Sequence, residues 1–146
     1  MPRLSVIGIR LALLYFLLGI SAGSMLLVHK AFPLHPATWA LLPLHIEFLL
    51  SGWIVQLVFA VGYWIFPRFL NEPKRGNLAL AWAALAALNL SILLLVFASL
   101  ATQGALSLAG RILQVLAAAL FAASLWGRAK PTETGVARKL RSTEEN

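Results

Sequence analysis

The sequence predicts an all-α integral membrane protein with four membrane-spanning helices. Of its 146 residues, 60% are hydrophobic and 12% are charged, whereas a soluble globular chain is about 45–50% apolar and about 25% charged. A bilayer span needs about 20 mostly apolar residues. Stretches of that kind cover residues 7–28, 42–66, 78–101 and 105–126. We therefore exclude a soluble domain with a water-facing shell and expect one transmembrane domain over residues 1–128.

The first span, residues 7–28, has a signal peptide as its alternative interpretation. The stretch is longer than the apolar region of a signal peptide, and no clear small-x-small cleavage site ends it. We therefore expect a retained helix. Its Gly19-x-x-x-Gly23 pair is a small-residue motif that lets two helices approach closely.

Prolines and polar residues mark the other spans. Pro43 suits the first turn of the second helix, and Pro67 ends that helix. Thr102-Gln103-Gly104 predicts a tight turn between the third and fourth spans. Asn89 and Gln114 lie within these last two spans, where we expect their amides to form hydrogen bonds between helices.

The distribution of Lys and Arg predicts the orientation, because cytoplasmic loops are enriched in these residues. Of the 12 Lys and Arg, only Lys30 and Arg111 fall on one side of the spans. The others fall on the opposite side: Arg3, Arg10, Arg68, Lys74, Arg75, Arg128, Lys130, Arg138, Lys139 and Arg141. Both termini are predicted to be cytoplasmic, with a basic, disordered tail over residues 129–146. The net charge of +7 therefore predicts contact with the lipid bilayer, and no binding of nucleic acid.

Several classes of chemistry are excluded by the composition. There is no cysteine, so disulfides, iron–sulfur clusters, thiolate zinc sites and cysteine nucleophiles are absent. No serine–histidine–acid set or pair of carboxylates is available for a hydrolase. His29, His35 and His45 fall on one side of the membrane. Their spacing matches no tight metal-binding motif, and we do not expect Cu or Zn there.

The second span carries the only histidine and the only acid within any span, His45 and Glu47. At about 100° per residue, His45, Gly52 and Gln56 share one face of the helix. A neutral imidazole is a good ligand for haem iron, and a glycine on the same face lets a flat macrocycle lie against the helix. His45 has a second interpretation, in which it only reaches water at the membrane interface. Glu47 is a candidate proton-relay carboxyl, a carboxyl hydrogen-bonded to a neighbouring helix, or a residue that faces a water-filled crevice.

A haem at His45 also needs partners for its propionate groups. Lys30, Arg111 and the indole of Trp39 are predicted at the same membrane level as His45. Cations and N–H donors are the groups that bind carboxylates, so these three side chains are the candidate propionate contacts.

The second span contains a run of motif residues: His45-x-Glu47, Gly52-Trp53, Gln56, Gly62 and Pro67-Arg68. This run of about 25 residues, about the length of one membrane span, resembles the histidine-bearing helices in the catalytic subunit of the haem–copper oxidase superfamily. It resembles still more the small four-span prokaryotic membrane proteins related to that subunit.

The resemblance implies that this chain corresponds to one helical arc of that subunit and that His45 is an axial ligand of haem b. It further implies a prokaryotic inner membrane and a homo-oligomer, with a trimer favoured and a dimer next. Glu47 replaces the second histidine of a His-x-His helix, and carboxylate is a poor ligand for low-spin haem. The copper-binding histidines have no counterpart here, so the chain is not a complete haem–copper oxidase.

Three functions follow as hypotheses. The first is a haem b membrane protein that transfers electrons or binds NO or O₂, with a respiratory-chain protein or quinol as partner; any enzymatic activity would be that of an oxidoreductase. The second is a cofactor-free accessory or assembly subunit of a respiratory complex. The third is a small proton-coupled exporter that uses Glu47.

Overall fold

The computed structural model describes residues 1–33, 35–66, 77–101 and 103–128. Every regular element in these ranges is helical, and they contain no strand. The elements are α1 (Arg3–Ala31), a 3₁₀ turn (Pro36–Ala40), α2 (Leu41–Glu47), a π-helix (Phe48–Val55), α3 (Gln56–Ile65), α4 (Leu78–Ala101) and α5 (Gly104–Trp126). The predicted tail over 129–146, and the residues Pro67 and Thr102, lie outside the described residues.

Four helices are long and apolar enough to cross a membrane: α1, the continuous helix Pro36–Ile65, α4 and α5. We call the second of these span two. The prediction of an all-α chain with four helices long and apolar enough to span a membrane is therefore confirmed for the described residues. Oligomer formation and the direction of insertion stay predictions.

The helix boundaries differ from the predicted spans mainly around the first loop. α1 continues to Ala31 and ends where Phe32 adopts an extended backbone before Pro33. Span two begins with a 3₁₀ turn at Pro36. The His35 side chain caps this turn by accepting a hydrogen bond from the Ala37 amide. Both differences have one cause: hydropathy detects the part of a helix that fits in hydrocarbon, whereas proline and capping geometry decide where the helix stops.

α1 packs along span two through small residues. A Cβ added at Gly8 would lie 2.8 Å from the Cβ of Ala60, and one added at Gly19 would lie 2.5 Å from Cδ2 of Leu49. The first half of α1 therefore meets the second half of span two, which makes the two helices antiparallel. The predicted packing role of Gly19 is confirmed, because any side chain there would separate the helices.

α4 and α5 form a second antiparallel pair, and the two pairs share one apolar core. Gly110 of α5 fits against Leu95 of α4, where an added Cβ would lie 2.7 Å from the leucine Cγ. The rings of Phe59 and Phe121 stack between span two and α5, with centroids 4.0 Å apart. The core cluster continues through buried residues of α4, including Leu85, Leu88 and Ile92.

Candidate functional site

His45 lies in α2, and its imidazole rests directly on α1. Its Nδ1 is 2.8 Å from the carbonyl oxygen of Gly19. A Cβ added at Gly23 would lie 2.5 Å from Cε1 of His45. A carbonyl oxygen only accepts hydrogen bonds, so Nδ1 carries the proton and donates it. In the neutral ring Nε2 is then left with a free lone pair.

The residues predicted to share a face with His45 do meet the same neighbouring helix. Gly52 lies against the ring of Tyr15, where an added Cβ would be 2.6 Å from Cγ. Gln56 is buried, and its Nε2 lies 3.5 Å from the carbonyl oxygen of Gly8. The space that Gly52 was expected to leave for a flat macrocycle is thus filled by Tyr15. Gln56 lies about 16 Å along the helix from His45, at about 1.5 Å per residue, and does not reach the imidazole level.

Glu47 faces the opposite side of span two, toward α5. Its Oε2 accepts a hydrogen bond of 2.9 Å from Nη1 of Arg111, and the pair is an ion pair. Its Oε1 accepts a hydrogen bond from Nε2 of Gln114. Gln114 also donates to the Ser51 hydroxyl at 2.9 Å and accepts from Nη1 of Arg111 at 2.9 Å. The four side chains form one polar network, which we call the Glu47 network.

The Glu47 network joins the two helix pairs near the end of the bundle that holds residues 35–40. The Glu47 side chain is 6% exposed and that of Arg111 is 59% exposed. A buried carboxylate needs a cation or several donors, and this network supplies both. Gln114 therefore has the interhelical role that the sequence predicted, and so does Asn89, whose Oδ1 accepts a bond of 3.1 Å from Tyr15.

The two other predicted propionate contacts lie apart from His45. Lys30 is exposed, and it lies about 10 Å beyond the level of Gly23 along α1, at about 1.5 Å per residue. Trp39 is 53% exposed, and its ring meets that of His29 edge-on at 5.7 Å. The structure gives no contact of either residue with His45, and it pairs Arg111 with Glu47.

Arg128 forms a second polar contact between span two and α5, at the opposite end of the bundle. Its side chain is 3% exposed and donates from Nη2 to the carbonyl oxygens of Tyr63 at 3.1 Å and Phe66 at 2.6 Å. The guanidinium also lies 5.1 Å from the ring centre of Tyr63. A cation near the last carbonyl groups of a helix interacts favourably with the helix dipole. In the sequence, Arg128 served only as one of the cations that predict orientation, and this contact was not predicted.

The π-helix between α2 and α3 contains Ser51 and Gly52. Such segments are rare and occur often at functional sites. Here the π-helix places Ser51 toward α5 and Gly52 toward α1, so it lies between the two polar environments described above.

Among the described residues, no group of three or more His, Cys, Asp or Glu side chains is arranged to hold a metal ion. Comparisons of the chain with protein-family models, with curated proteins and with solved structures give no match.

Proposed function

We propose that this protein binds haem b in the membrane, with His45 Nε2 as an axial ligand to the iron. The observation that supports the proposal is the hydrogen bond from His45 Nδ1 to the Gly19 carbonyl oxygen, at 2.8 Å. Metal-ligating histidines commonly donate their other ring N–H to a backbone carbonyl, which fixes the tautomer and raises the basicity of the ligating nitrogen.

The surroundings of His45 suit a positioned ligand. Contact with Gly23 restricts the ring on one side, and the residue remains partly exposed. A half-buried imidazole on a membrane helix can meet an apolar cofactor from the lipid-facing side. When bound, haem supplies a redox centre or a site for a small gas such as NO or O₂; the protein supplies the nitrogen ligand and its orientation.

Glu47 is not offered as the second axial ligand in this proposal. Both of its carboxylate oxygens already accept hydrogen bonds, from Arg111 and Gln114. A further ligand to a bound haem would have to come from another group, such as another protomer of the proposed homo-oligomer. We keep the trimer as the first expectation and the dimer as the second, in a prokaryotic inner membrane with cytoplasmic termini.

The visible spectrum of the detergent-purified protein tests the proposal. We expect a Soret band in oxidised and dithionite-reduced wild type, loss of that band in His45→Ala, and no loss in His35→Ala. His35 is the matched control because it is exposed and only caps the 3₁₀ turn, accepting a bond of 3.2 Å from the Ala37 amide. Carbon monoxide then shows whether a coordination position is open.

A second variant separates ligand loss from misfolding. In His45→Gly, added imidazole should enter the space of the lost side chain and restore the Soret band. A wild type that stays colourless after expression with added haem would overturn the proposal.

The second candidate is a cofactor-free accessory subunit of a respiratory complex. The observation that favours it is the closed packing of span two on α1, where Tyr15 covers Gly52 and His45 covers Gly23. This alternative predicts a colourless protein that co-purifies with, and is stabilised by, a larger respiratory complex.

The third candidate, a proton-coupled exporter, requires Glu47 to exchange protons despite its pairing with Arg111. It predicts that Glu47→Gln abolishes export and leaves the visible spectrum of the purified protein the same as that of wild type.

A further inference from the structure

Arg111 has an outward-facing edge that the Glu47 network does not use. Both of its hydrogen bonds, to Glu47 and to Gln114, are made by Nη1. Within the part of the chain that the structure describes, Nη2 and Nε make no hydrogen bond, and the side chain is 59% exposed. A guanidinium carries five N–H donors in a planar fork. Its unused donors are therefore available to a group outside the four helices.

The position of Arg111 in α5 places these donors near the border of the hydrocarbon. Arg111 lies about 10 Å from the first residue of α5, Gly104, at about 1.5 Å per residue. Side chains on a helix lean toward its N-terminus, so the Arg111 side chain leans toward the Gly104 end. Arginines in this situation extend their charge toward the phospholipid headgroups.

Within the described ranges, Glu47 is the only acidic side chain. Its two carboxylate oxygens already accept hydrogen bonds from Arg111 and Gln114. The described part of the chain therefore supplies no further carboxylate for the outward edge of Arg111.

We propose that the outward edge of Arg111 is a binding site for the phosphate group of an anionic membrane phospholipid. Planar guanidinium donors match phosphate oxygens, and such charge-assisted hydrogen bonds are about twice as strong as neutral ones. Glu47 holds the guanidinium in place through Nη1, and its negative charge partly offsets the attraction of the guanidinium for a second anion. The site is thus both oriented and weakened by its own carboxylate. The proposal does not depend on haem binding.

Native mass spectrometry of the full chain released from nanodiscs tests the site, with phosphatidylglycerol and phosphatidylcholine compared as lipids. We expect wild type to retain phosphatidylglycerol in preference to phosphatidylcholine. Arg111→Gln should lower phosphatidylglycerol retention about tenfold, the factor that corresponds to loss of one charge-assisted hydrogen bond. Lys30→Gln is the matched control, since Lys30 is an exposed cation predicted on the same side of the membrane.

Glu47→Gln should change the retention of phosphatidylglycerol in the opposite direction. Removing the carboxylate charge removes its repulsion of an incoming phosphate and leaves the charge of the guanidinium uncompensated, so retention of phosphatidylglycerol should rise severalfold. The double variant with Glu47→Gln and Arg111→Gln carries no unpaired buried charge, so it tests loss of binding if Arg111→Gln alone does not fold.

Four results would overturn the proposal. Wild type shows no preference for phosphatidylglycerol, or Lys30→Gln loses as much of it as Arg111→Gln. Inorganic phosphate at millimolar concentration displaces the lipid completely, which identifies a site for the free anion. A lipid-free oligomer that Arg111→Gln dissociates would show that a second copy covers this edge.

Discussion

Replacing Arg111 with Gln leaves the Glu47 carboxylate inside the bundle without its cationic partner, and we expect this to destabilise the fold. Removing one partner of a buried ion pair costs about 3–5 kcal/mol. Here the Arg111 side chain is 59% exposed, so part of the pair's energy is screened. Gln114 still donates to Glu47. We therefore expect the free energy of unfolding to fall by about 2 kcal/mol, the size of a hydrogen bond to a charged group.

The reverse change, Glu47→Gln, should cost less, about 1 kcal/mol, the usual size of a neutral hydrogen bond. A glutamine keeps one acceptor oxygen, for either Arg111 or Gln114, and the exposed guanidinium reaches water or headgroups. In a double-mutant cycle the two changes should then be non-additive by about 1 kcal/mol or more, as expected for residues in direct contact.

Reversible unfolding in mixed detergent micelles measures both values, with Lys30→Gln as the control. Lys30 is exposed and has no hydrogen bond or ion pair among the described residues, so its loss should change stability by less than about 0.5 kcal/mol. The reasoning fails if Arg111→Gln costs no more than Lys30→Gln, or if the cycle is additive. Either outcome would mean that the Glu47–Arg111 pair does not hold the two helix pairs together.

Two further predictions concern the other contacts of span two. Gly23→Ala adds a Cβ 2.5 Å from Cε1 of His45. The imidazole must then move off the Gly19 carbonyl. In a haem-bound protein the Soret maximum should therefore shift or weaken. An unchanged visible spectrum would show that α1 does not hold the ring. Arg128→Gln removes the charge from two hydrogen bonds to carbonyl oxygens at the end of α3. It should lower the free energy of unfolding by about 2 kcal/mol. A cost below about 0.5 kcal/mol, which is typical of a surface change, would contradict the contact.

The helices and the face carrying His45, Gly52 and Gln56 were predictable from the sequence. A bilayer accepts only segments that satisfy their own backbone hydrogen bonds, so long apolar stretches become helices whatever their partners. The spacing of His45, Gly52 and Gln56 places them on one face, and all three do meet α1. The packing role of Gly19 was also predicted, from a small-residue motif that is weakly specific because such pairs often occur by chance; its contact with Leu49 comes from the structure.

The partners of these residues were not predictable. Glu47 and Arg111 are separated by 64 positions, and nothing in their local sequence links them. Tyr15, which fills the space at Gly52, lies in a span whose buried and exposed faces are both apolar. In a soluble helix the polar face marks the side toward water, so the apolar face opposite to it is the packing face. That signal is absent where lipid and protein interior are equally apolar.

The sequence by itself therefore determined how many helices the chain forms, approximately where they begin and end, and which polar residues lie within them, since hydropathy and proline act locally. Only the tertiary structure decided how each helix is rotated about its axis and which polar groups meet. That rotation depends on contacts between side chains distant in the sequence: His45 on Gly19 and Gly23, and Glu47 on Arg111. In hydrocarbon, where no water competes for these groups, the fit of small residues and the pairing of polar groups fix the packing.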